Sequence, residues 1–217
     1  MSAGPLFPSD QSLTSRELKP RHYEYLLGLP LTLHIPSLHT FVVHAGLLPS
    51  DPTKSLTDAS QPLIAASKAH YNDEASGRLS EELAILFGVR QNADPYTLIE
   101  MRSVHTKGKK KGKVTKNGSK GKPWSEVWNK EMKRCTRGLV DDEEAEEKTS
   151  WKRAGDDDDD DYEDGDDGAL ESNLKCSPVN VVYGHAAGRG LDIKKYTKGL
   201  DTGCVVSGTT CLRESGH

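Results

Sequence analysis

Between residues 141 and 167 the chain reads DDEEAEEKTSWKRAGDDDDDDYEDGDD, with 16 acidic residues against 3 basic ones. Such a segment cannot bury a core, because its like charges repel and its apolar side chains are too few to offset the entropy of ordering the chain. Upstream lies its opposite, KGKKKGKVTKNGSKGK at 107–122, with eight lysines, no acid and interspersed glycines. Together with its flanks, the span 103–175 reads as charged chain unable to build a core. One compact island interrupts it: PWSEVWNKEMKRC at 123–135, where Trp124, Val127 and Trp128 recur at helical spacing and Ser125 can cap. The full chain has 217 residues. About 140 of them are left to form one domain of ordinary size.

Charge is segregated accordingly. Outside 141–167, 26 basic residues face 17 acidic ones, so the remainder is basic and suits an anionic partner such as a phosphate ester. The lysine run reads first as a solvated, flexible loop and second as a contact for polyanions such as polyphosphate. Nucleic acid is another such polyanion, but no aromatic residues are interleaved with the lysines to stack on bases, which argues against it. Cys135, Cys176, Cys204 and Cys211 form no C-x-x-C pair and no dense framework. They read as free thiols, with a single disulfide as the alternative. The first 30 residues carry no signal-peptide core, and no apolar run approaches the ~20 residues of a membrane span. The expected location from this chain alone is therefore cytoplasmic.

Two stretches carry the strongest strand signals. Phe41, Val42 and Val43 form an apolar run that ends at His44, followed by Ala45 and Gly46. Val179, Val181, Val182 and Tyr183 form another, ending at Gly184 and His185. Leu200 to Val206 starts as a turn and becomes a further strand. Residues 60–90 read as partly helical, with Ser80 ahead of an amphipathic segment that stops at Gly88. Asp94 and Pro95 open a second helix as cap and first residue. His44 and His185 thus share one local pattern: a strand fixes the backbone and small neighbours leave room for an ion. Neutral imidazole is a good ligand for zinc, iron or manganese. Residues alone leave two readings of each, metal ligand or satisfied core histidine. No G-x-S-x-G elbow and no P-loop is present.

VVHAGLLP, VVYGHAAGRGL and KGLDTGCVVSG, in that order, resemble the last three blocks of the calcineurin-like metallophosphoesterases. The likeness is greatest to the symmetrical diadenosine tetraphosphatases and the fungal zinc-dependent vacuolar endopolyphosphatases. LPLTLHIP, DPYTLIEMRS and PWSEVWNKE resemble the fungal form. The resemblance implies an α/β fold, here a partial αββα sandwich carrying a long disordered charged insertion. It divides the chain into a flexible lead-in at 1–20, a first block at 21–104, the insertion at 105–177, the last strands at 178–212 and a tail at 213–217. It also implies metal-dependent hydrolysis of a phosphomonoester or phosphoanhydride, with polyphosphate or a dinucleoside tetraphosphate as candidate substrates. Two divalent ions (zinc, manganese or an iron–zinc pair) would serve the complete enzyme. His44 and His185 would both bind the second of them, and Arg102 would meet the phosphate. Asp201 and Gly203 would shape a closing loop. A vacuolar location becomes the alternative to the cytoplasm.

The departures limit the activity expected of the chain. No Asp-x-His, Gly-Asp-x-x-x-x-Gly or Gly-Asn-His block precedes His44, and residue 186 is Ala where relatives carry a polar residue. On its own the chain is expected to be inactive. The alternatives are a decayed, non-catalytic homologue that binds polyanions or proteins, and a serine/threonine protein phosphatase.

Overall fold

The structure is a computed structural model and describes residues 18–71, 73–136 and 173–203. The acidic segment 141–167 and the strand expected at 204–206 lie outside the described residues. The chain forms two units, divided after Leu31. The first holds helix α1 (Pro20–Leu27), which opens on Pro20, where a missing N–H costs nothing, and ends at Gly28.

The second unit is mixed α/β. Its larger sheet comprises β1 (Thr32–Ile35), β2 (Thr40–Val43), β6 (Asn180–Tyr183), β7 (Asp192–Ile193) and β8 (Thr197–Gly199). The spatial order is β1-β2-β6-β8-β7. Strands β2 and β6 run parallel, with Thr40 opposite Asn180 and Val43 opposite Tyr183. The outer pairs β1–β2 and β7–β8 are antiparallel. Between β2 and β6 come helices α2 (Pro62–Lys68), α3 (Glu74–Gly88), α4 (Pro95–Glu100) and α5 (Trp124–Met132). A small second sheet, in the order β4-β3-β5, joins β3 (Ser103–Val104), β4 (Val114–Thr115) and β5 (Lys122–Pro123).

Both expected strand runs form. Phe41, Val43, Val181 and Tyr183 are buried in one core with Leu47, Leu48, Leu63, Ile85, Met101 and Val104. Asp94 caps α4, its carboxylate accepting the Tyr96 N–H at 3.0 Å. Helix α3 starts six residues before Ser80. Asp73 accepts both the N–H and the hydroxyl of Ser76 there, a stronger start signal than a serine inside the following turn. Helix α5 forms at the tryptophan island, but Pro123 takes the cap position. Ser125 lies within the helix and gives its hydroxyl to Asp192.

Residues 103–135 differ most from expectation. They belong to the fold and bury Val104, Trp124, Trp128, Met132 and Cys135. The lysine run is built into the small sheet: His105 N donates to the Lys113 carbonyl and Gly112 N to the His105 carbonyl. Backbone pairing needs no apolar side chains, so lysines that point to solvent do not prevent it. The glycines allow the turns, and Gly112 and Gly121 both sit in the left-handed region. Trp128 anchors α5 by donating its indole N–H to the Val179 carbonyl at 2.9 Å.

The free-thiol expectation is likewise corrected for two of the cysteines. Cys135 follows α5 and Cys176 precedes β6; they form a disulfide across 41 residues, with both side chains fully buried. Spacing that wide leaves no motif, because the pairing is set by the tertiary position of α5 beside β6. Cys204 and Cys211 lie outside the described residues. Cross-linking a loop of this length stabilises the fold by about 4 kcal/mol in the chain-entropy account. Replacing both residues by serine should therefore lower the free energy of unfolding by about that amount in denaturant titrations. Equal midpoints for variant and parent would refute the disulfide's structural role.

Candidate metal centre

Parallel pairing of β2 with β6 aligns His44 with Gly184, and Gly184 donates its N–H to the His44 carbonyl at 2.9 Å. His185 is one residue further on. Its backbone sits in the left-handed region at φ 59°, which is unusual for a side-chain-bearing residue and turns the ring back toward its neighbour. The two imidazoles meet there. His44 Nε2 and His185 Nδ1 are 3.0 Å apart and the ring centroids 4.8 Å apart. One ring nitrogen of this pair must donate and the other accept.

Packing behind the pair holds both strand ends. A Cβ on Gly46 would lie 2.5 Å from the Trp124 indole, so only glycine lets the His44 loop pass. Ala45 N donates to the Leu98 carbonyl at 2.8 Å and ties the same loop to α4. On the other side the Trp124 ring packs edge-on against Tyr183, two residues before His185, with centroids 4.6 Å apart. The Tyr183 hydroxyl donates to Asp192 at 2.5 Å. Burial, reinforced by that carboxylate, raises the phenol well above its ordinary range.

Charged groups ring the pair. Arg102 Nε donates to the His185 carbonyl at 3.2 Å. Arg189, at the end of the turn after His185, donates to the Arg102 carbonyl at 3.0 Å. Glu100 Oε2 is 3.9 Å from His185 Nε2. His185 Nε2 and Arg189 Nη1 are both buried without a hydrogen-bond partner. Such orphaned donors and acceptors carry a desolvation cost that a bound polar group would remove. The structure thus brings together all three expected residues, His44, His185 and Arg102. Arg189 and Glu100 lie inside the motifs VVYGHAAGRGL and DPYTLIEMRS, where the sequence gives no signal of a role for either. Asp201 accepts the Gly203 N–H at 2.9 Å.

The histidine pair has the spacing of two ligands of a single ion. Two nitrogens held at about 2.0–2.1 Å from zinc lie roughly 2.9 Å apart at a right angle and roughly 3.4 Å apart at the tetrahedral angle. The observed 3.0 Å falls inside that interval, so the pair fits as two donors of one shell. Among the described residues, no group of three His, Cys, Asp or Glu side chains is arranged to hold a metal.

No family model matches the chain, and no curated protein matches it. A crystal structure of a protein provisionally assigned as a diadenosine tetraphosphatase matches with a TM-score of 0.41 and 20% identity. The match covers 89% of this chain and 50% of that one, so the chain spans about half the length of that protein. Likeness at that level assigns neither family nor activity. Among the described residues no helix is long and apolar enough to cross a membrane.

Burial lowers the pKa of His185 below its ordinary 6.5, and the nearby His44 and Arg102 lower it further, against opposing pulls from Glu100 and Asp201. The neutral ring therefore favours the folded state fully above pH 6.5, and that contribution is lost as the pH falls through the lowered value. In chelator-treated protein, the His185 imidazole should titrate by NMR with a midpoint below 6.5, and His44→Gln should move that midpoint upward. A midpoint at or above 6.5 in the parent would contradict the packing described.

Proposed function

We propose that this chain carries part of the metal centre of a metal-dependent phosphoesterase. His44 and His185 are two ligands of one divalent ion, and Arg102 is the guanidinium that meets substrate phosphate. The observation that carries the reading is the 3.0 Å approach of two ring nitrogens at the ends of neighbouring parallel strands. The order of the HAG, GH and LDTGC blocks supports it. The substrate class is a phosphomonoester or phosphoanhydride. The two sheets and their helices are, on this reading, part of an αββα sandwich.

When bound, a divalent ion of this kind supplies Lewis acidity toward a phosphoryl oxygen. The chain's own residues do the rest of the work assigned here. His44 Nε2 and His185 Nδ1 face each other as donors. His185 Nε2 then remains for a polar partner, with Glu100 Oε2 3.9 Å away. Arg102 spends its Nε on the His185 carbonyl, leaving its terminal nitrogens for paired contact with phosphate oxygens. Four donors are usual for zinc. The remainder of the shell would come from Asp-x-His, Gly-Asp and Gly-Asn-His blocks of a complete enzyme. A buried disulfide favours an oxidising compartment, which supports the vacuolar alternative over the cytoplasm.

Zinc or manganese titrated into metal-free protein should bind, and either His44→Ala or His185→Ala should weaken that binding at least about tenfold. Unchanged affinity in both variants would remove the two histidines from the centre. Hydrolysis of a phosphoanhydride is the second readout. Metal-dependent turnover that both variants abolish supports an enzyme. Binding without turnover, in this chain and in any longer form containing it, supports the non-catalytic alternative.

A further inference from the structure

Beyond the histidine pair, the connection between β4 and β5 carries a chemical signal of its own. Asn117, Gly118 and Ser119 make the pattern Asn-x-Ser, and of the six asparagines in the chain only Asn117 has a serine or threonine two positions on. That pattern is the acceptor signal for N-linked glycosylation. Residues 116–120 are all exposed. Asn117 Oδ1 accepts the Ser119 N–H at 3.0 Å and the Ser119 hydroxyl at 2.7 Å. The two side chains that the signal requires are therefore in direct contact. Asn117 Nδ2 takes part in none of the described hydrogen bonds, so no contact in the fold competes for the atom that would carry a sugar.

Turn formation alone does not account for the asparagine. The same geometry occurs twice more in this chain, both times with aspartate. Asp51 accepts the N–H and hydroxyl of Thr53 at 2.9 and 2.7 Å, and Asp58 those of Ser60 at 2.8 and 2.7 Å. A carboxylate suits the position, since the Ser60 bonds hold the Asp58 carboxyl below its ordinary range. At 117 it would gain more, because Lys116 and Lys120 flank the turn and the run 107–122 contains no acid. An amide there gives up that attraction. Nor does the backbone demand an Asn-Gly pair. Two-residue hairpin turns favour the pair because both residues take positive φ, yet neither Asn117 nor Gly118 does. What asparagine has and aspartate lacks is the amide nitrogen.

An independent observation agrees. N-linked glycans are added in secretory compartments, where disulfides also form, and this fold buries the Cys135–Cys176 disulfide. We propose that Asn117 is an N-glycosylation site of a chain that folds in an oxidising compartment. The proposal shares the disulfide with the vacuolar reading and is independent of the histidine centre. In the transfer, Asn117 Nδ2 attacks the anomeric carbon of a lipid-pyrophosphate-linked oligosaccharide. A carbon–nitrogen bond forms, the carbon–oxygen bond to the pyrophosphate breaks, Nδ2 releases one proton and the lipid pyrophosphate leaves.

The test is mass spectrometry of the full-length protein isolated from its own cells. Peptide:N-glycosidase in heavy-oxygen water converts an occupied asparagine to aspartate carrying one heavy oxygen. A sample treated without the glycosidase accounts for spontaneous deamidation of the Asn-Gly pair. Cleavage after Glu100 and Glu126 releases residues 101–126, in which Asn117 is the one asparagine. That peptide should carry the label. Asn117→Asp, which keeps the turn's acceptor, and Ser119→Ala should both lose the mass of one glycan, and Ser119→Thr should keep it. An unlabelled peptide from protein with an intact Cys135–Cys176 bond would overturn the site alone. An unlabelled peptide from protein with both thiols reduced would overturn it together with the vacuolar reading. A glycan that survives Ser119→Ala would also overturn it.

Discussion

Trp124 packs behind the two histidine-bearing strand ends. Its indole excludes any Cβ at Gly46, two residues after His44, and meets Tyr183, two residues before His185, in an edge-on arrangement. A fully buried tryptophan removes some 150–250 Å² from water, at about 25 cal/mol per Å². That is enough to hold two segments together that lie 141 residues apart in the chain. Parallel pairing of β2 and β6 then sets the register, and the left-handed backbone at His185 completes the approach of the rings. The tryptophan comes from the island that interrupts the charged sequence. The charged segments therefore flank a component on which the histidine pair depends.

The parts of the fold legible in the sequence were those with local signals. The apolar runs before His44 and before His185 read as strands and are strands. Asp94 followed by Pro95 reads as a helix start and is one. Composition misled where burial and charge part company. Lysines between glycines read as unfolded, yet their backbone pairs with β3 while most of their side chains stay exposed. Helix α3 turns Glu81 and Glu82 inward, against any hydrophobic periodicity. Glu82 accepts from both His34 and His39, and Glu81 accepts the Ser177 N–H at 2.8 Å. Buried carboxylates are tolerated there because both Glu82 oxygens and Glu81 Oε2 accept hydrogen bonds. The Cys135–Cys176 pairing was illegible for a similar reason: it depends on where α5 lies beside β6, and residue spacing does not encode that.

Of the candidate site, His44, His185 and Arg102 stand out through block order, and the structure adds the contacts that bring them together. Arg102 holds the carbonyl of His185, Arg189 holds the carbonyl of Arg102, and Glu100 stands beyond the far nitrogen of the His185 ring. Each link joins segments distant in sequence, so none could be read from spacing.

The central claim is that His44 and His185 share one ion, and zinc-edge X-ray absorption of the zinc-loaded chain tests it most directly. Two imidazole nitrogens per zinc are expected at about 2.0–2.1 Å, falling to one in His44→Ala and in His185→Ala. An imidazole count that stays the same in both variants would contradict the account.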